Sequence, residues 1–231
     1  MRKPAALALP FLALLASPAA AAEVVVVEET VEVTEFVAAD GSAERFVAAA
    51  PAAIPQGIAR FGPFRVIDAA HAALVDVTDE RSPAQFQAML RAWPGIATLE
   101  MIECPGTEDD RANLALGRMI RARGIATHVP PGGSVRSGGV ELFVAGRQRF
   151  ADPGSEFAVH SWADEDGREA RDYPADAPEN RAYIDYYQAM GMPEGEAKAF
   201  YAMTNSVPNA DAKWLTAADM GRWVRLDQRI P

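Results

Sequence analysis

The stretch Ser137-Gly138-Gly139-Val140-Glu141-Leu142-Phe143-Val144-Ala145-Gly146, continued by Arg149-Phe150 and by Phe157-Ala158-Val159-His160-Ser161, decides how this chain is read. Its first part is a short helix opened by a serine and closed by a glycine. Its last part is an apolar run of strand length that ends on a histidine. A polar nucleophile and a potential base therefore stand at the two ends of one compact unit.

Moving outward toward the N-terminus, strand and helix signals alternate. Ala72 to Val77 reads as a buried strand. Ser82-Pro83 reads as an N-cap followed by proline at the first helical position, and Phe86, Met89, Leu90 and Trp93 fall on one apolar face before Pro94-Gly95. A second strand, Ala97 to Glu103, runs into Cys104-Pro105-Gly106. Thr107 with Asp110 resembles a capping box, and Ala112, Leu116, Met119 and Ile120 make the next helix face up to Gly124. A third strand, Ile125 to Val129, leads into the loop Pro130-Pro131-Gly132-Gly133, with Ser134 in that loop. This alternation implies right-handed crossovers and a parallel sheet, hence an α/β fold. Downstream, Ala163 to Pro178 reads as an exposed loop. Tyr183, Tyr186, Tyr187 and Met190 form a packed helix face, and a further helix runs from Pro193 to Met203.

The N-terminus carries an export signal. Arg2-Lys3, the apolar Ala5 to Ala16, the break at Ser17-Pro18 and Ala20-Ala21-Ala22 read as a signal peptide over residues 1–22. The mature chain is expected to begin at Glu23 and to be periplasmic or secreted, with no membrane span of its own. Residues 23–63 form an N-terminal extension, strand-like from Glu23 to Val37 and then an Ala/Gly/Pro-rich loop. Residues 64–231 form the main domain. The chain's net charge is −10, and the signal segment holds two basic and no acidic residues, so processing takes it to −12. An acidic surface argues against nucleic acid and against anionic lipid. Cys104 is the single cysteine and excludes an internal disulfide. It reads as a buried small apolar residue, and His71 and His128 read as structural. Asp164-Glu165-Asp166-Gly167 reads as a solvated acidic loop, because the remaining ligands of a calcium loop are absent. No cofactor and no metal is called for.

Three features coincide between Cys104 and His160. Gly106 follows a parallel strand, Ser137 opens a helix and is followed by Gly138, and His160 ends the next strand. Acyl transfer needs such a set. A serine hydroxyl is a weak nucleophile until an imidazole removes its proton, and the oxyanion then needs preorganised N–H donors. Gly138 and Gly106 can supply them at the carboxyl edge of the sheet, where α/β proteins bind ligands. The same serine could equally be a plain helix N-cap.

The run from Ser137 to Gly146, then Arg149-Phe150, Pro153, Ser155 and Phe157 to His160, resembles the active-site segment of Clp-type serine peptidases. The likeness extends upstream through Leu74 to Val77, the helix from Ser82, and Glu103-Cys104-Pro105-Gly106, in the same order as the family's strand, helix and oxyanion turn. It is closer still to exported Clp-like proteins. It implies the Clp/crotonase-like spiral of ββα units with C-terminal helices, Ser137 as nucleophile, His160 as base, and Gly106 and Gly138 as oxyanion donors. It also implies a peptide or ester substrate and ring-like homo-oligomers, for which the acidic C-terminal part gives no independent sign. Pro131-Gly132-Gly133-Ser134 mimics the family's oxyanion turn, but the downstream signals fit only Ser137.

The sequence departs from the family at three points. Gly138-Gly139 is smaller than the usual pair after the serine, and Pro105-Gly106-Thr107 lacks one glycine of the Pro-Gly-Gly turn. The third triad member should precede an aromatic-Leu-Thr helix start, here Trp214-Leu215-Thr216. The aligned position is Ala212, Asp211 lies one residue early, and Asn209 is the alternative. The expected function is an exported serine hydrolase, a peptidase. The alternatives are a non-catalytic Clp-like binding or scaffold protein, and acyl-CoA chemistry of the crotonase type, against which export and the acidic surface speak.

Overall fold

The structure, a computed structural model, describes residues 50–228. The stretch read as a signal peptide, residues 1–22, and the stretch expected to form a strand, Glu23 to Val37, lie outside the described residues. Two mixed sheets carry the fold. The first places β1 (Ala59–Phe61), β2 (Phe64–Val66) and β3 (His71–Leu74) antiparallel to one another. It continues in parallel through β4 (Thr98–Met101), β6 (Ala126–Val129) and β8 (Arg149–Ala151). The second sheet runs β5 (Glu103–Cys104), β7 (Ser134–Arg136) and β9 (Glu156–Val159) in parallel, with β10 (Lys213–Thr216) antiparallel at its edge.

The chain alternates between the sheets in a repeated unit. β4 and β5 are followed by α2 (Asp110–Ala122), and β6 and β7 by α3 (Gly138–Ala145). Each unit thus gives one strand to each sheet and then a helix. The helix α1 (Ser82–Ala92) precedes them, and α4 (Pro178–Ala189), α5 (Glu194–Thr204) and the short α6 (Ala217–Met220) follow. The fold is α/β, with parallel strands divided between two sheets rather than gathered in one.

Burial follows the expected faces. Phe86 and Met89 of α1 are inaccessible, as are Leu116 and Ile120 of α2. Every residue of α3 is buried, and Phe143 packs its ring 4.9 Å from that of Phe157 on β9. A large apolar side chain buried in this way contributes about 1.5–3 kcal/mol. Arg149, itself buried, donates from Nε to the Val144 carbonyl (2.7 Å) and from Nη2 to the Met190 carbonyl (2.8 Å). It closes the C-terminal ends of α3 and α4 with one cation. Burial pushes its guanidinium down to about 10, so it stays charged at neutral pH.

Several local expectations are corrected. Ala59–Phe61 is a strand within the stretch read as loop, because it pairs with β2. Ser134 opens strand β7 and is fully buried, its N–H donating to the Ile102 carbonyl (3.0 Å). Sheet pairing there overrides the turn signal of Pro131-Gly132-Gly133. Trp214-Leu215-Thr216 is strand β10 and not a helix start. Leu215 faces Phe157 and is buried, and the strand covers the edge of β9. Only Thr216 goes on to cap α6, reciprocally with Asp219. The cap of α2 is Asp109, whose Oδ1 accepts from Ala112 N at 2.8 Å, in place of the Thr107 box. Ser82 lies inside α1, after Arg81 at the cap position.

Candidate active site

Ser137 closes strand β7 by donating its N–H to the Ala158 carbonyl of β9 (2.9 Å). The backbone then turns sharply into α3 with φ +48° and ψ −130°. Among the described residues Ser137 is the one non-glycine with positive φ. A side chain held in that region costs about 1–3 kcal/mol and persists only where the surroundings enforce it. The hydroxyl makes no capping hydrogen bond to α3. A serine kept merely as an N-cap would show that bond.

Gly106 stands against this serine. It adopts φ +144°, and a Cβ added to it would lie 3.1 Å from Ser137 Cβ and 3.5 Å from its Oγ. Gly138 is the first residue of α3, where backbone N–H groups have no intrahelical acceptor. Within the described residues, neither the Gly106 nor the Gly138 N–H donates to a backbone carbonyl. Their carbonyls, by contrast, are both held. Thr78 donates its N–H (3.2 Å) and its hydroxyl (3.4 Å) to the Gly106 carbonyl. The same hydroxyl lies 3.0 Å from Asn113 Oδ1, and Asn113 Nδ2 donates to the Gly138 carbonyl at 2.7 Å. Asn113 is buried, so one amide, engaged at both its oxygen and its nitrogen, ties the two peptide groups together.

The two departures from the peptidase pattern around the serine fit each other. A Cβ on Gly138 would fall 2.5 Å from Thr107 Cγ2 and 3.0 Å from Asn113 Nδ2. Thr107 thus fills the volume that a larger residue after the serine would need.

His160 follows the last residue of β9. Its Nδ1 lies 2.9 Å from the Ser161 carbonyl and 3.2 Å from Asn209 Nδ2. Asn209 Nδ2 also donates to the Ser161 carbonyl (2.9 Å), and its own N–H donates to Glu169 Oε1 (3.0 Å). A carbonyl acceptor at Nδ1 assigns the hydrogen to that nitrogen and the lone pair to Nε2. Asn209 reaches the imidazole because Ser161 N–H pairs with the Val207 carbonyl (2.9 Å). Asp211 lies beyond the turn that its own N–H closes on Pro208 (3.0 Å); it is exposed, and its Oδ1 accepts from Ala212 N (2.9 Å). The residue set against His160 is therefore Asn209.

Ser137, Gly138, His160 and Asn209 line one cavity of about 230 Å³, and Gly106 packs against the serine. Asp110 and Glu141 share that cavity. Glu141 is 7% exposed, and burial raises its carboxyl to about 7, against the Tyr187 hydroxyl that donates to Oε1 at 2.6 Å. The charge of Asp110 adds to the rise, and His160 opposes it. Asp110 keeps contact with solvent at the mouth, yet the protein crowding its carboxyl raises it too, with Tyr183 acting in the opposite direction.

Cys104 is buried beneath α3, and burial pushes its thiol well above the ordinary value, which leaves it unsuited to nucleophilic chemistry. His128 is held between Glu100 and Asp152, the latter at 3.0 Å, and bridges the parallel strands of the first sheet. Among the described residues no group of three His, Cys, Asp or Glu side chains is arranged to hold a metal.

Sequence reasoning did not single out Thr78, Asn113 or Glu141, and it read Asp110 only as part of a capping box. Glu141 gave a signal: one carboxylate in the otherwise apolar run Val140 to Ala145, four residues after the serine. Asn113, among the apolar positions of α2, was similarly out of place.

No family profile and no curated protein sequence matches the chain. Solved structures do. A mutant of the 1510-N membrane-bound stomatin-specific protease in complex with a substrate peptide is 16% identical, with a TM-score of 0.45, over 67% of this chain and 74% of that one. A ClpP1 mutant from Listeria monocytogenes is 16% identical, with a TM-score of 0.48, over 68% of this chain and 88% of its own. A second mutant of the stomatin-specific protease is 15% identical, with a TM-score of 0.45, over 68% and 78%.

Proposed function

We propose that the protein is an exported serine hydrolase acting on peptides or esters. The observation that carries the reading is Ser137: strained, uncapping, and facing the same cavity as His160. Ser137 Oγ attacks the substrate carbonyl as His160 Nε2 takes its proton. The oxyanion forms against the N–H groups of Gly106 and Gly138, at the positive end of α3. Each such donor is worth about 10²–10³ in turnover. His160 then protonates the leaving group, and water, activated by the same imidazole, releases the acyl chain. The Ser161 carbonyl accepts from Nδ1–H and orients the ring where a carboxylate would be expected, so the imidazolium is stabilised by a carbonyl dipole rather than by a full charge, and Asn209 acts by holding that carbonyl through Nδ2.

Export is inferred from Arg2-Lys3, the apolar segment and Ala20-Ala21-Ala22, and the mass of the mature N-terminus tests it. The catalytic reading is tested by a serine-directed fluorophosphonate. Labelling of the purified protein is expected, its loss in Ser137→Ala, and its retention in Ser134→Ala. Equal labelling of wild type and Ser137→Ala would overturn it. A protein that neither labels nor hydrolyses any ester or peptide is a binding scaffold, a reading that the uncharged third position favours.

A further inference from the structure

The acceptor at His160 Nδ1 is a peptide carbonyl, that of Ser161, at 2.9 Å. A backbone group carries no charge of its own, so the orientation of the ring depends on what holds Ser161 and Asn209 in place. Ser161 N–H donates to the Val207 carbonyl (2.9 Å), and Ser161 Oγ accepts from Ala170 N–H (3.2 Å). Asn209 N–H donates to Glu169 Oε1 (3.0 Å). Two of these three bonds come from adjacent residues, Glu169 and Ala170, in the segment that follows Trp162.

That segment turns back on itself and delivers Glu169 to this point. Asp164 N–H donates to the Arg168 carbonyl (2.9 Å), and Asp164 Oδ1 accepts from the N–H groups of Asp166 (3.0 Å) and Arg168 (2.8 Å). Ala163 then pairs with Glu169 in an antiparallel bridge. Glu169 caps the single 3-10 turn Ala170–Asp172, reciprocally with Asp172, whose Oδ2 accepts from Glu169 N–H (2.8 Å). The Glu169 side chain is 12% exposed, whereas Arg171, 3.4 Å from its Oε2, is 69% exposed. An ion pair with so exposed a partner contributes little. The bond from Oε1 to Asn209 is sheltered and charge-assisted, roughly twice as strong as a neutral one.

We propose that Glu169 is a positioning residue for His160: by fixing the Asn209 backbone it keeps Asn209 Nδ2 on the Ser161 carbonyl, and so keeps that carbonyl on His160 Nδ1. This deepens the hydrolase reading and rests on it for the role of the imidazole as base. Glu169 does not itself line the cavity, and it acts by reach rather than by charge. A ring no longer held spends less time with Nε2 toward Ser137, which lowers turnover and leaves substrate affinity alone.

The test sets reach against charge. Glu169→Gln keeps an oxygen at Asn209 and removes the charge, whereas Glu169→Asp keeps the charge and withdraws it by one methylene. Per fluorophosphonate-reactive serine, kcat of Glu169→Gln is expected within about threefold of wild type. That of Glu169→Asp should fall about tenfold or more, with KM within about threefold in both. In an Asn209→Ala background, Glu169→Asp should cost less than about twofold further, because the side chain it serves is gone. The Nδ1–H proton resonance of His160 in isotope-labelled protein, assigned by its absence from His160→Gln, should persist in Glu169→Gln and vanish in Glu169→Asp. Equal kcat in the two variants, the reverse order, or losses that add to that of Asn209→Ala would overturn the inference. The resonance requires no turnover, so the two readings separate. A wild type that does not label, with the resonance lost in Glu169→Asp, keeps the positioning role and removes the hydrolase. Labelling with an unchanged resonance does the reverse.

Discussion

Replacing Ser137 by glycine is expected to make the protein more stable while it removes the hydroxyl of the proposed nucleophile. The backbone at this position, φ +48° and ψ −130°, is one that L-residues occupy at a cost of about 1–3 kcal/mol. Glycine adopts it without that cost, but it adds unfolded-state freedom worth about 0.5–1 kcal/mol. The net gain is about 1 kcal/mol, which for a domain of this size raises Tm by roughly 2–4 °C. Ser137→Ala keeps the Cβ and therefore the strain, and since the hydroxyl caps nothing, its stability should stay within about 0.5 kcal/mol of wild type. Urea denaturation of the three proteins measures this directly, with a higher midpoint and an unchanged slope for the glycine variant. A glycine variant no more stable than the alanine variant would refute the reasoning, because the serine would then not be held against its own preference.

Two further predictions concern the neighbouring groups. Asn209→Ala removes the amide at His160 and should lower turnover about tenfold or more, whereas Asp211→Asn, exposed and bound only to Ala212 N, should change it less than about threefold; paired kcat measurements on folded variants check this, and the opposite order would return the third position to Asp211. Glu141 faces the Tyr187 hydroxyl, Asp110 and His160, and its folded value of about 7 stands above the unfolded value of 4.5. The native state therefore holds a proton that the unfolded chain has lost between these values. Stability should fall as pH rises from about 4.5 to 7, by up to about 3 kcal/mol from this group. Glu141→Gln should abolish that slope in denaturation series at pH 5 and pH 8.

The elements that position the site were legible because their signals are local. The Ser137–Gly146 helix, the strand ending at His160 and the amphipathic face of α1 each follow from spacing within a dozen residues. What escaped is what depends on partners far along the chain. Leu215 becomes a strand residue because β9 has an open edge, which no periodicity near Trp214 reveals. Asn113 and Thr78 lie 35 positions apart and acquire meaning only when they meet, Thr78 on the Gly106 carbonyl and Asn113 on the Gly138 carbonyl. The third position was ambiguous for a similar reason: pairing of Ser161 with Val207, not the distance from Trp214, decides which side chain meets the imidazole.

That pairing also orders events in time. Ser137 and His160 precede α4 and α5 in the chain, whereas Val207 to Asn209 follow them. A chain that emerges from its N-terminus carries Ser137 and His160 before the segment that flanks the imidazole exists. The proposed site is thus completed by a residue 49 positions downstream of His160, and a fragment ending before Val207 would hold the serine and the histidine without Asn209 beside them.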